Sequence, residues 1–209
     1  MTKKLLLLLL LFRFSFLFAC ELPNHFAFNV QNSEEELLYW GCYDAENNGP
    51  HMVIWYLTSE RTEGRGRANT TFTQQRDGGQ LLQDLREAGF QLPSHFDFTG
   101  SGFDRGHMAP NSHFNDTIEN SRLTFFIGNI WPQTPSVNRS GEWYYHEQVV
   151  DPENAQEYGY IRIEVIVTEF TDQQIGSPER PISVPASFHR TAYCPDGTII
   201  YQIIVINEW

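Results

Sequence analysis

The stretch Asp104-Arg105-Gly106-His107-Met108-Ala109-Pro110-Asn111-Ser112 decides how the rest of the chain is read. Arg105 and His107 stand two positions apart, so on a strand, where side chains alternate, they point to one face. Gly106 between them lets the backbone come close to a ligand. A guanidinium beside an imidazole suits an anionic ester such as a phosphodiester, because one group holds charge while the other handles a proton. Further along, Phe125-Phe126-Ile127-Gly128-Asn129-Ile130-Trp131-Pro132-Gln133 leads to Asn138, Trp143 and Glu147. Amide oxygens and a carboxylate following a single histidine suit a hard divalent cation that keeps several of its waters.

Four blocks carry the reading further. Asp104 to Pro110, then Thr124-Phe125 with Asn129 and Pro132-Gln133, then Asn138, then Trp143 with Glu147, resemble in order and spacing the DNA/RNA non-specific endonuclease family. The match is dense between residues 98 and 150, with weaker similarity through Val53 to Thr58 and Ile182 to Phe188. The resemblance implies an α+β fold with a mixed, mainly antiparallel sheet around a ββα-metal, or His-Me finger, catalytic core. It implies hydrolysis of phosphodiester bonds in DNA and RNA through recognition of the backbone, with 5′-phosphate products and little base preference. His107 would be the general base, and Arg105 would contact the scissile phosphate. Either Arg65 or Arg67 would supply a second guanidinium from the upstream loop. Asn138 would be the direct protein ligand of Mg²⁺, with Mn²⁺ as the alternative ion, and Glu147 would accept hydrogen bonds from metal-bound water. Asn129 would orient the phosphate or the surroundings of His107, or replace Asn138 as ligand. One departure stands out: four residues separate Asn138 from Trp143, one more than the family pattern implies. The contrasting expectation is a binding module that keeps the fold without catalysis.

Lys3 and Lys4 precede a Leu/Phe run that ends near Ala19, the layout of a secretory signal peptide over residues 1–19. The remaining 190 of the 209 residues, from 20 to 209, suit a single domain. No later segment is apolar for long enough to span a bilayer. The chain is therefore expected outside the cytoplasm, secreted, periplasmic or at the cell surface. Cys20 after Leu17-Phe18-Ala19 is close to a lipid-attachment motif, which adds a membrane anchor as an alternative to free secretion.

The fourteen cationic residues include Lys3, Lys4 and Arg13, so loss of the leader leaves eleven, all arginine, against 26 acidic ones. The formal charge falls from −12 to −15. Affinity for phosphate backbones comes largely from basic surface, so this composition describes a catalyst that binds briefly, not a tight binder. With Cys20 at the cleavage point, Cys42 and Cys194 form an even pair. A bridge between them would contribute about 4 kcal/mol by loop closure.

Glu21 to Glu36 reads as an irregular lead-in. Tyr39 to Tyr43 and His51 to Thr58 read as a strand pair turned at Asn47-Asn48-Gly49-Pro50. Leu81, Leu82, Leu85 and Ala88 have helical spacing that stops at Gly89. Thr124 to Ile130 reads as a buried strand, Glu142 to Val150 as a helix, and Ile161 to Val167 and Ile199 to Ile206 as β-branched strands.

Overall fold

β-Branched and aromatic residues fill six segments that pair into one sheet. The computed structural model describes residues 20–62, 68, 70–72 and 79–209; the expected leader, Arg65 and Arg67 lie outside these. Strands β1 (His25–Gln31), β2 (Leu37–Asp44), β3 (Gly49–Thr58), β6 (Tyr160–Ile166), β9 (Ser187–Tyr193) and β10 (Ile199–Ile206) make the sheet in the order β1-β2-β3-β6-β9-β10. Every neighbouring pair in it is antiparallel. Two smaller pairs stand apart from it: β4 (Asp104–His107) with β5 (Ile130–Gln133), and β7 (Phe170–Ser177) with β8 (Arg180–Pro185).

β3 lies inside the sheet and its alternation sets the layers. Val53, Trp55 and Leu57 face the main core, which takes in Trp131, Trp143, Phe126 and Phe188. Met52 and Ile54 face the other way and form a small second cluster with Trp40 and Cys42. The helices are α1 (Gly79–Glu87), α2 (Ile118–Leu123), α3 (Pro135–Arg139), α4 (Glu142–Tyr145) and α5 (Asp151–Tyr158). A π-helical turn at His146–Val150 joins α4 to α5. No helix among the described residues is long and apolar enough to cross a membrane.

The β2–β3 hairpin, the helix before Gly89 and the strands β6 and β10 stand where residue spacing places them. Three expectations are corrected. The lead-in contains β1, an edge strand in which Phe28 and Val30 are buried while Ala27, Asn29 and Gln31 are exposed. That period of two is present in the sequence but is masked by polar neighbours. The segment from Thr124 is not a strand: it turns through a 3₁₀ segment at Ile127–Asn129, and β5 begins only at Ile130.

The third correction concerns the disulfide. Cys20 bonds to Cys42, with their Cα atoms 5.5 Å apart, and Cys194 is free. Cys42 on β2 and Cys194, just past β9, are three strand spacings apart across the sheet. That is about 14 Å, well beyond the ~7 Å a disulfide can bridge. A lipid thioether and this bond would compete for the same Cys20 sulfur. Peptide mapping without reduction should find residues 20 and 42 linked and Cys194 open to alkylation. A Cys42–Cys194 peptide would overturn the assignment.

Candidate active site

The Arg-Gly-His segment is held as a strand by its partner. β4 and β5 pair antiparallel, with Asp104 opposite Gln133, Arg105 opposite Pro132, Gly106 opposite Trp131 and His107 opposite Ile130. α3 follows directly, so strand, strand and helix form one ββα unit. Alternation along β4 puts Arg105 and His107 over the same ring: the Arg105 guanidinium lies 6.0 Å from the Phe72 centroid and the His107 ring 5.3 Å. Phe125 closes on His107 edge-on at 5.2 Å. Two aromatic walls therefore restrict how the imidazole can turn.

Arg105 is also fixed at its own end. Nε and Nη2 donate to the His95 carbonyl at 3.2 and 2.6 Å, and Nη2 donates to Thr99 Oγ1 at 3.2 Å. Asn129, wholly buried, is spent on backbone: its Oδ1 accepts from Ala109 N at 2.9 Å, while Nδ2 donates to the Ala109 and Thr124 carbonyls. Its main-chain carbonyl accepts from Met108 N as well. The structure thus places Asn129 behind the Arg-Gly-His strand, tying down the two residues that follow His107.

Asn138 comes from α3 and reaches the other end of β4. Its Nδ2 donates to Asp104 Oδ2 at 3.1 Å. A carboxylate only accepts, so this contact fixes which end of the amide faces Asp104. Oδ1 is left with no protein hydrogen bond among the described residues. Arg139 clamps the same carboxylate with two bonds, at 2.7 and 2.5 Å. Partial burial works to raise the Asp104 pKa, but the bonds from Arg139 and Asn138 outweigh it and hold the group below its ordinary value.

Glu147 lies in the π-helical turn that follows α4. Burial, aided by Asp151 and opposed by Arg190, raises its pKa to about 8. Its Oε1 is buried without a hydrogen-bond partner among the described residues. Around it is a cluster that residue patterns did not single out. Arg190 and Asp151, both fully buried, form an ion pair, and Tyr201 donates to Asp151. The Arg190 guanidinium lies 5.2 Å from the Trp55 ring and 5.0 Å from that of Trp143. One signal was available: Phe188, Arg190 and Ala192 share an inward face of β9, where an arginine needs a buried anion. His113 receives a bond from Trp55 Nε1 on Nδ1 and so carries its proton on Nε2, which donates to the Glu147 carbonyl. Burial lowers its pKa to about 4, against the pull of Asp151. These bonds account for His113, and the His146 ring packs at a tilt against Tyr201, with centroids 4.4 Å apart.

Gly106 serves a purpose other than the ligand approach expected of it. A Cβ there would meet the Gln133 side chain at 2.1–2.3 Å. The Gln133 amide is buried against this glycine, and neither of its polar atoms has a partner among the described residues. Gly106→Ala should therefore separate β4 from β5 and cost about 2 kcal/mol. Urea unfolding would read the loss, and an unchanged midpoint would mean that Gln133 simply turns aside.

Comparison with known proteins bears on the family and the fold. Residues 23–207 match the DNA/RNA non-specific endonuclease family. The human protein "Endonuclease G, mitochondrial" is 30% identical over 103 residues, 47% of this chain and 31% of that protein. A Nostoc sp. protein named "Nuclease" is 46% identical over 43 residues, 21% of this chain and 16% of that one. These matches span less than two fifths of the relatives' own lengths. A crystal structure of an EndoG/EndoGI complex superimposes with a TM-score of 0.65 at 20% identity, over 86% of this chain and 74% of that chain. Its fold is the mixed, mainly antiparallel α+β fold described above. By a family match that takes in the ββα unit and nearly all of both sheet edges, the chain belongs to the DNA/RNA non-specific endonuclease family.

Proposed function

We propose that this chain is a secreted, divalent-cation-dependent endonuclease that hydrolyses phosphodiester bonds in DNA and RNA. The observation that carries the reading is the sharing of Phe72 by Arg105 and His107 on one face of β4, beside an Asn138 whose oxygen is oriented and uncommitted. Imidazole takes and gives protons near neutral pH, so His107 removes the proton of the attacking water. Arg105 holds a non-bridging phosphate oxygen, and Arg67 or Arg65 adds a second guanidinium. Asn129 keeps the His107 strand in register through Ala109.

The donors fit a hard cation. Asn138 Oδ1 is a neutral oxygen and Glu147 Oε1 is a buried carboxylate oxygen without a partner among the described residues. Among those residues no three His, Cys, Asp or Glu side chains gather as a metal cluster, so water and phosphate oxygens would complete the shell. Asn138 Oδ1 would hold Mg²⁺ or Mn²⁺, and an ion there would supply positive charge to the phosphate and the leaving 3′ oxygen. Glu147 would accept a hydrogen bond from a water of that ion. Products carry 5′-phosphates. The leader over residues 1–19 exports a single domain running from 20 to 209, and its acidic surface keeps contact with nucleic acid brief.

Cleavage of supercoiled plasmid and of RNA, with Mg²⁺ or with EDTA, tests this. His107→Ala should lower the rate 10²-fold or more, and Asn138→Ala or EDTA should abolish cleavage of both substrates. Cleavage that survives His107→Ala would assign the wrong base, and no cleavage by the unsubstituted chain with any cation would favour a binding module instead. A second expectation follows from Glu147. Its raised pKa means that the cation-free protein holds this proton up to about pH 8. Cation binding should therefore release a proton, and apparent affinity should rise with pH toward 8 and level off above it. Calorimetry in buffers of different ionisation heat would detect the release; equal heats for the unsubstituted chain and Glu147→Gln would count against it.

A further inference from the structure

A groove of about 460 Å³ lies between the 3₁₀ segment His95–Phe98, the loop after it and strand β7. Phe96 forms one side of it and is 70% exposed. Its ring lies 3.8 Å from that of His95, so it is held rather than loose. The carbonyl of that same His95 takes two hydrogen bonds from Arg105, and Thr99, another groove residue, takes a third. Other large apolar side chains are exposed, including Tyr144, Tyr145 and Trp209, but Phe96 is the one joined through a single neighbour to the guanidinium.

The remaining lining suits the polar edge of a ligand. Asp97 does not repel an anion outright, because it is engaged by Ser94 N at 2.7 Å, Ser94 Oγ at 3.0 Å and Arg180 at 3.4 Å. Ser177 Oγ is shielded and has no partner among the described residues. Gln174 brings an exposed amide to the same groove.

We infer that Phe96 is a stacking platform for a nucleobase flanking the phosphate held by Arg105, with Ser177 and Gln174 facing the polar edge of that base. The inference rests on the nuclease reading above and extends it from the backbone to a base. Every base has a π-face, so the platform adds affinity without sequence preference.

Binding in EDTA separates this inference from catalysis. Fluorescence anisotropy would compare a labelled single-stranded oligothymidylate with an equally long strand of abasic sugar-phosphate units. The unsubstituted chain should bind the base-bearing strand about tenfold more tightly, the size of one base–aromatic stack. Phe96→Ala should remove most of that ratio and Phe96→Trp should restore it. An equal ratio in the unsubstituted chain and Phe96→Ala, or no preference for bases in either, overturns the platform. Plasmid cleavage measured alongside with Mg²⁺ tests the nuclease reading alone, since the binding ratio stands whether or not turnover occurs.

Discussion

The ion pair between Arg190 and Asp151 is the constraint on which the functional half of the molecule depends. A charge this deep is tolerated only with a partner, and removing one member leaves the other bare at a cost of about 3–5 kcal/mol. The pair joins β9 of the main sheet to the first residue of α5, so it fixes the helical run that carries Trp143 and Glu147. Stacking of the guanidinium against Trp55 and Trp143 extends the same lock to β3. His113, bonded to Trp55 and to the Glu147 carbonyl, brings in the 3₁₀ segment just beyond the Arg-Gly-His strand.

Upon this foundation the ββα unit is secured by a different interaction. Asn129 uses its whole amide on the main chain of Ala109 and Thr124. The Arg-Gly-His strand is too short to hold itself in place: β4 has four residues. Its precision is supplied from behind by a side chain and from in front by Phe72 and Phe125. The division is a physical one. Buried hydrogen bonds from Asn129 hold the residues that follow the strand, while Arg105 is anchored on the His95 carbonyl and Thr99 and shares Phe72 with His107.

Much of this was legible in the residues. The period of two in β6 and β10, the Asn-Gly turn of the β2–β3 hairpin and the Arg-Gly-His spacing each follow from local chemistry, and local chemistry is visible in sequence. What could not be read was long-range. The Cys20–Cys42 bond depends on which strands are neighbours, and cysteine parity carries no information about that. Gly106 looked like an opening for a ligand because the side chain that fills the space beside it, Gln133, lies 27 positions away on the partner strand, opposite Asp104. Arg190 was not singled out by residue patterns, because its partner Asp151 lies 39 positions away at the start of α5. Asn129, Asn138 and Glu147 can be picked out of the motif blocks, Asn138 with one residue more than the family pattern before Trp143, but only their contacts separate a clamp from an uncommitted oxygen.

The joint between α3 and α4 has a consequence of a different kind. Ser140 leaves the helical conformation, and Gly141 passes so close to α3 that a Cβ would meet the Ser136 carbonyl at 2.7 Å. Within one continuous helix an added residue would rotate everything after it by about 100°, turning Trp143 out of the core and Glu147 with it. Across a break, the same residue lengthens the path and leaves the phase of α4 to its own packing. An insertion or deletion between Asn138 and Trp143 would therefore change the length of the joint and leave the phase of α4 untouched, provided that the glycine stays.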